Sequence, residues 1–140
     1  MTRPVSVMQL GPGTMLWSAT ILGEPASKSN SRKMVVRRSK KKGKLYLAPV
    51  KSDKALSYEE DAILQLKPLR PKEPIGEDLE LTCHIWYANR RSDLDESLIM
   101  DLLQKAEIII NDRQIRSKHI YGYVDKHRPR AVVALARIAE

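Results

Sequence analysis

Cysteine is nearly absent. Cys83 stands alone among 140 residues, which excludes an intrachain disulfide framework and fits a reducing compartment. Long apolar runs are absent too, and none approaches the length a bilayer-spanning helix needs. The N-terminus carries an early arginine, Arg3, with no extended apolar stretch behind it, so no signal peptide is read there. A cytoplasmic chain with no membrane partner is expected. There is no internal repeat. Acidic residues are missing between positions 25 and 52, although Lys28, Arg32, Lys33, Arg37, Arg38, Lys40, Lys41, Lys42, Lys44 and Lys51 collect there.

What remains is an ordinary globular balance, 42% hydrophobic and 30% charged, with a net charge of +8. Such a length suits one domain over residues 1–140 with a modest core. The positive balance points to a polyanionic partner, nucleic acid before anionic membrane.

Residues 1–14, with Gly11-Pro12-Gly13, read as a loose leader. A first strand over residues 15–23 stops at Gly23 and Pro25. Residues 34–38 and 44–48 form two short strands joined by the turn Lys40-Lys41-Lys42-Gly43. A helix follows. Ser57 with Glu60 makes a capping box, and Leu56, Ala62, Ile63 and Leu66 give an apolar face; Ser52-Asp53 is the alternative start. Pro68, Pro71 and Pro74 then stiffen a connection without helix or strand pattern. Residues 79–87 make the clearest strand. Leu94, Leu98 and Leu102, with Ile99, Leu103 and Ala106, recur at helical spacing. Ile108-Ile109-Ile110 reads as a short buried strand, and residues 115–124 and 131–138 as a hairpin around a turn at 125–129. The predicted class is α+β, a mixed sheet packed with two main helices.

Asp93 and Asp95 fall where the clearest strand hands over to the second helix, and Asp112 follows the segment after that helix. Taken alone, Asp93 is an N-cap, Asp95 and Glu96 are first-turn partners of the helix dipole, and Asp112 is a turn residue. Together on a basic chain they mean more. Pooled carboxylates repel one another unless a cation joins them. If the segment returns beside the first strand, Asp93, Asp95 and Asp112 converge at one rim as a Mg²⁺ or Mn²⁺ site, since oxygen-only ligands select hard cations. Zinc is disfavoured: Cys83 and His84 point to opposite sides of a strand, and His119 and His127 lack ligand spacing.

A charge run by itself is usually a solvated face. Here it is interleaved with Met34-Val35-Val36 and Leu45-Tyr46-Leu47, which makes a folded hairpin with a fixed array of cations for phosphates. Tyr121 and Tyr123 share a strand face; packing in the core is expected of them, with base stacking as the alternative.

Ser92-Asp93-Leu94-Asp95, a helix containing Asp101-Leu102-Leu103, and Asn111-Asp112-Arg113-Gln114-Ile115 resemble the central signature of the RusA family of Holliday junction resolvases, common in phages and prophages. The loop Pro25-Ala26-Ser27-Lys28-Ser29-Asn30-Ser31-Arg32 is similar to that family's Pro/Ser/Asn-rich loop after its first strand. The resemblance implies a homodimeric endonuclease that cuts four-way DNA junctions with Mg²⁺ or Mn²⁺ and leaves ends that can be religated. Asp93, Asp95 and Asp112 would be its metal-binding catalytic carboxylates. Lys28, Asn30, Arg32, Lys33, Arg37, Arg38 and Lys118 are the candidate DNA contacts. The sequence departs from the family pattern at Glu96, where Asn is usual. It departs again at the position of a functional lysine, which falls on Ile99 or Ser97 by two ways of counting; Lys105 or Lys118 could supply that cation from elsewhere. The rival reading is a non-catalytic nucleic-acid-binding module.

Overall fold

A computed structural model describes residues 14–26 and 32–138; the leader, apart from Thr14, and the loop positions Lys28 and Asn30 lie outside the described residues. In chain order the elements are β1 (Met15–Leu22), β2 (Arg32–Arg38), β3 (Leu45–Lys51), α1 (Asp53–Leu66), β4 (Leu79–Tyr87), α2 (Ser97–Lys105), β5 (Ile115–Val124) and β6 (Arg130–Arg137), with 3₁₀ turns at Lys67–Leu69 and Asp112–Gln114.

The most deeply buried strand, β4, lies inside a four-stranded sheet of order β1-β6-β4-β5. β4 runs parallel to β5 and antiparallel to β6, which pairs antiparallel with β1, so the sheet is mixed. Parallel neighbours need a crossover, and α2 supplies it. Leu79, Leu81, Cys83, Ile85 and Tyr87 alternate onto one face. There they meet Ala55, Tyr58, Ala62 and Leu66 of α1 and Leu98, Ile99, Met100, Leu102 and Leu103 of α2 in one core. Each fully buried aliphatic side chain there stabilises the fold by about 1.5–3 kcal/mol. The single α+β domain with a mixed sheet and two helices agrees with the sequence.

Several local expectations change. The hairpin predicted from residues 115–138 does not form, because β4 inserts between β5 and β6. His84, for example, lies opposite Tyr121 on one side and Val132 on the other. The turn between the two strands caps β4 instead, the N–H of Asp125 donating to the Tyr87 carbonyl at 2.8 Å. Ile108–Ile110 is not a strand: Ile109 makes one isolated parallel bridge to Ile75, and Ile110 is exposed.

Helix α1 begins a turn before Ser57. Ser52 is its N-cap, with its hydroxyl accepting from the N–H of Ala55 at 3.1 Å, and the buried stripe runs through Ala55 and Tyr58 rather than Leu56. Both starts satisfy local capping rules; the earlier one brings Ala55 into the helix's buried stripe. Leu94 stays outside α2 and lies over Gly122, where a Cβ would come within 3.1 Å of its Cδ1.

β2 and β3 form a separate two-stranded sheet, each strand longer than the sequence predicted. No described helix is long and apolar enough to cross a membrane.

Candidate metal and nucleic-acid site

The loop of residues 88–96 turns back from the end of β4 along β5 before α2 begins. Asp93 and Asp95 therefore do not sit at a direct strand-to-helix junction; β4 ends at Tyr87 and the helix starts at Ser97. They also differ in environment. Asp93 is exposed, whereas Asp95 is only 8% exposed. The Asp95 N–H donates to the Tyr87 hydroxyl at 3.2 Å, and its Oδ1 accepts from the N–H of Ser97 at 3.0 Å and from its hydroxyl at 2.7 Å. Asp95 thus does the capping, one residue ahead of the N-cap position. Glu96 occupies that position without a side-chain cap.

Asp112 arrives from the other end of α2. Asn111 and Gln114 form a capping box around the 3₁₀ turn that starts at Asp112. Gln114 is buried and fully used: Oε1 accepts from the N–H groups of Ile110 and Asn111, and Nε2 donates to the carbonyls of Ile75 and Glu77, all at 2.8–2.9 Å. The Asp112 N–H donates to Gln104 Oε1 of α2.

These two approaches meet at a cleft of about 360 Å³. Glu96, Ser97, Asp101 and Asp112 line it together with the cations Arg32, Lys51 and Lys118. Asp93 and Asp95 are not on its wall; Asp95 reaches it only through Ser97. Lys118 Nζ lies 3.3 Å from Glu96, and Lys51 Nζ lies 3.9 Å from Asp101. Lys51 also pairs with Glu59 of α1, which holds Lys105 as well. Burial would raise the Glu59 carboxyl, but hydrogen bonds from Lys105 and Lys51 outweigh it and hold it below the usual carboxylate range.

The oxygen-only donor set suits a hard cation. Among the described residues, however, no three His, Cys, Asp or Glu side chains come close enough together to share an ion. Glu96 and Asp101 each face a lysine.

Of the predicted DNA contacts, Arg32 and Lys118 reach the cleft, Lys33 pairs with Asp53 at 2.9 Å, and Arg37 and Arg38 stay exposed on the hairpin. Sequence reading assigned Ser97, Gln104 and Gln114 no role at the site and counted Lys51 only as one charge of the basic run. Only Gln114 carried a local signal, the Asn111-x-x-Gln capping pattern. Along the hairpin, pairing of Met34 with Pro49, Val36 with Leu47 and Arg38 with Leu45 puts Met34, Val36, Leu45 and Leu47 on one side. Each is 58–65% exposed.

The histidines keep to the predicted separation from Cys83, which lies in the core while His84 faces the opposite side of the sheet. Tyr121 and Tyr123 do not enter the core. They stand on the sheet face away from both helices, stacked with His84. No protein-family model matches the chain, and no curated protein matches its sequence.

Proposed function

We propose that this chain is a Mg²⁺- or Mn²⁺-dependent endodeoxyribonuclease of the RusA kind, acting on four-way DNA junctions in recombination and repair. The observation that carries the reading is the cleft where Asp112 meets Glu96 and Asp101 beside Arg32, Lys51 and Lys118. Carboxylates and cations mixed in one concavity suit a phosphodiester, whose charge needs cations and whose hydrolysis needs an activated water. The motif resemblance from Ser92 to Ile115 adds to it.

The resemblance assigns the ion to Asp93, Asp95 and Asp112, of which Asp112 alone lines the cleft, so holding an ion there would require the loop of residues 88–96 to bring Asp93 or Asp95 to it. When bound, such an ion lowers the pKa of a coordinated water and offsets charge on the phosphoryl oxygens. Lys118, which lines the cleft with its Nζ 3.3 Å from Glu96, is the candidate for the cation that neither Ile99 nor Ser97 provides. Arg32 and Lys51 flank the same cleft. Arg37, Arg38 and the Lys40-Lys41-Lys42 turn extend the cationic surface along the hairpin, giving affinity without sequence information.

Two symmetric cuts in a junction need two sites related by a two-fold axis. The hairpin's apolar side supports a homodimer, since a two-stranded ribbon is marginally stable unless something covers it. Val36→Glu with Leu47→Glu should leave a monomer in sedimentation; an unchanged dimer would put the seam elsewhere.

The deciding experiment incubates the protein with a synthetic four-way junction, with and without Mg²⁺. Paired nicks that appear only with metal support the enzyme. A retarded complex with no cleavage in either Mg²⁺ or Mn²⁺ leaves the second reading, a non-catalytic nucleic-acid-binding module, for which the exposed basic hairpin alone suffices.

A further inference from the structure

The side of the sheet opposite the two helices carries a row of rings. His84 and Tyr121 stack with centroids 4.8 Å apart, His84 and Tyr123 at 5.6 Å, and Trp86 and Tyr123 at 4.7 Å, all within 20° of parallel. The Arg130 guanidinium carbon lies 4.0 Å from the centroid of the Trp86 ring. The Tyr123 hydroxyl is 2.7 Å from His84 Nδ1, which fixes the tilt of both rings.

The chain has two Trp and five Tyr in all, and three of them stand in this row. Core packing does not account for them, because the helices cover the other face and Tyr123 is 39% exposed. At the Tyr123 end, on the edge strand β5, the surface opens into a cleft of about 470 Å³. It wraps round the strand edge, Tyr87, Leu94 and Gly122 of the helix side lining it with Asn89, Arg90 and Tyr123.

We propose that this row is a stacking platform for unpaired bases of a nucleic acid, with one base seated against Tyr123 in the adjoining cleft. The proposal rests on the nucleic-acid reading above and adds the substrate feature that this second surface takes. His84 is only 4% exposed and Arg130 covers one face of Trp86, so Tyr123 is the ring of the row that offers a π-face to a base, irrespective of sequence. Asn89, Arg90 and Ser92 supply polar groups at the rim, where base edges and the phosphate would lie.

Charge points the same way. Cations stand where both loops leave this end of the sheet, Arg90 and Arg91 in one, ahead of its acids Asp93, Asp95 and Glu96, and Lys126 and Arg128 in the other. Asp125, the acid of the second loop, is engaged with Arg130 at 2.9 Å. An aromatic floor inside a cationic rim complements a single strand better than a second copy of an equally basic chain. Unpaired bases are also what an opened junction centre offers.

The test uses the full chain, a short single strand carrying 5-iodouracil, and a blunt duplex of the same length. Irradiation should give an adduct that maps to Tyr123. Tyr123→Ala should weaken single-strand binding roughly tenfold while leaving duplex binding unchanged, and Tyr123→Phe, which keeps the ring, should retain it. Full single-strand affinity in Tyr123→Ala, with adducts confined to the β2–β3 hairpin, would overturn the platform and leave the nucleic-acid reading standing. Loss of self-association in Tyr123→Ala, without any nucleic acid present, would assign the face to a second copy. Failure to bind either strand form would remove both readings together.

Discussion

The backbone N–H of Asp112 sits 3.1 Å from Oε1 of Gln104, which ties the residue entering β5 to the last turn of α2. This bond sets Asp112 at the cleft from one end of the helix, while Asp95, bonded to Ser97, anchors the other. One helix clamped at both ends thus fixes where the two acids stand relative to each other.

Asp112→Asn should therefore abolish junction cleavage in Mg²⁺, a loss of at least about 100-fold, with junction binding within about twofold of the parent. Asp93→Asn should behave the same way if the exposed loop supplies an ion ligand. Nicking and gel retardation measured on the same junction separate the two effects; loss of binding with cleavage retained would reverse the assignment.

Gln114→Ala should destabilise the chain by about 2–4 kcal/mol, more than a surface substitution, because four backbone groups lose their partner in a buried place. Urea unfolding reads this directly. Gln114→Glu keeps the two acceptor bonds but sets a carboxylate oxygen against the Ile75 and Glu77 carbonyls, so a midpoint no higher than that of Gln114→Ala is expected at neutral pH.

Arg37→Glu with Arg38→Glu should weaken junction binding and lower the slope of log affinity against log salt by roughly two, one for each phosphate that the variant no longer neutralises. Both side chains are exposed on the hairpin, so the fold should be unaffected. An unchanged slope would remove the hairpin from the DNA surface.

Glu59→Gln should cost about 1–3 kcal/mol at neutral pH, since it leaves Lys51 and Lys105 facing each other without their shared carboxylate. The sign with pH follows from the lowered carboxyl. A carboxyl held lower in the folded state than in the unfolded one contributes stability above its unfolded value, and loses it as pH falls through the folded value. Thermal melts should thus show parent and variant converging below the ordinary carboxylate range of about 4.5. The same substitution should loosen the hairpin, because Lys51 is its last residue, and so lower junction affinity.

Much of this protein could be read from residue order. β4 was legible because Leu79, Leu81, Cys83, Ile85 and Tyr87 alternate with Glu80, Thr82 and His84, and α2 because Leu98, Ile99, Leu102 and Leu103 repeat at helical spacing. The cationic hairpin was legible because charge and strand pattern alternate there. These features depend on near neighbours in the chain. The start of α1 was less so: Ser52 and Ser57 both satisfy the capping rule, and only the start at Ser52 puts Ala55 on the helix's buried face.

What the chain order could not fix is which distant segments become neighbours. Residues 115–138 read as a hairpin because two strands and a short turn carry no record of a third strand between them. β4 takes that place through hydrogen bonds on both edges. The same long-range pairing sends the loop of residues 88–96 back along β5, which separates Asp93 from the cleft wall, and turns Tyr121 and Tyr123 away from the core. Composition and spacing determined the basic charge, the mixed α+β elements and the candidate acids; tertiary pairing decided which acids share a cleft and which rings share a face, since contact across the sheet depends on strand order.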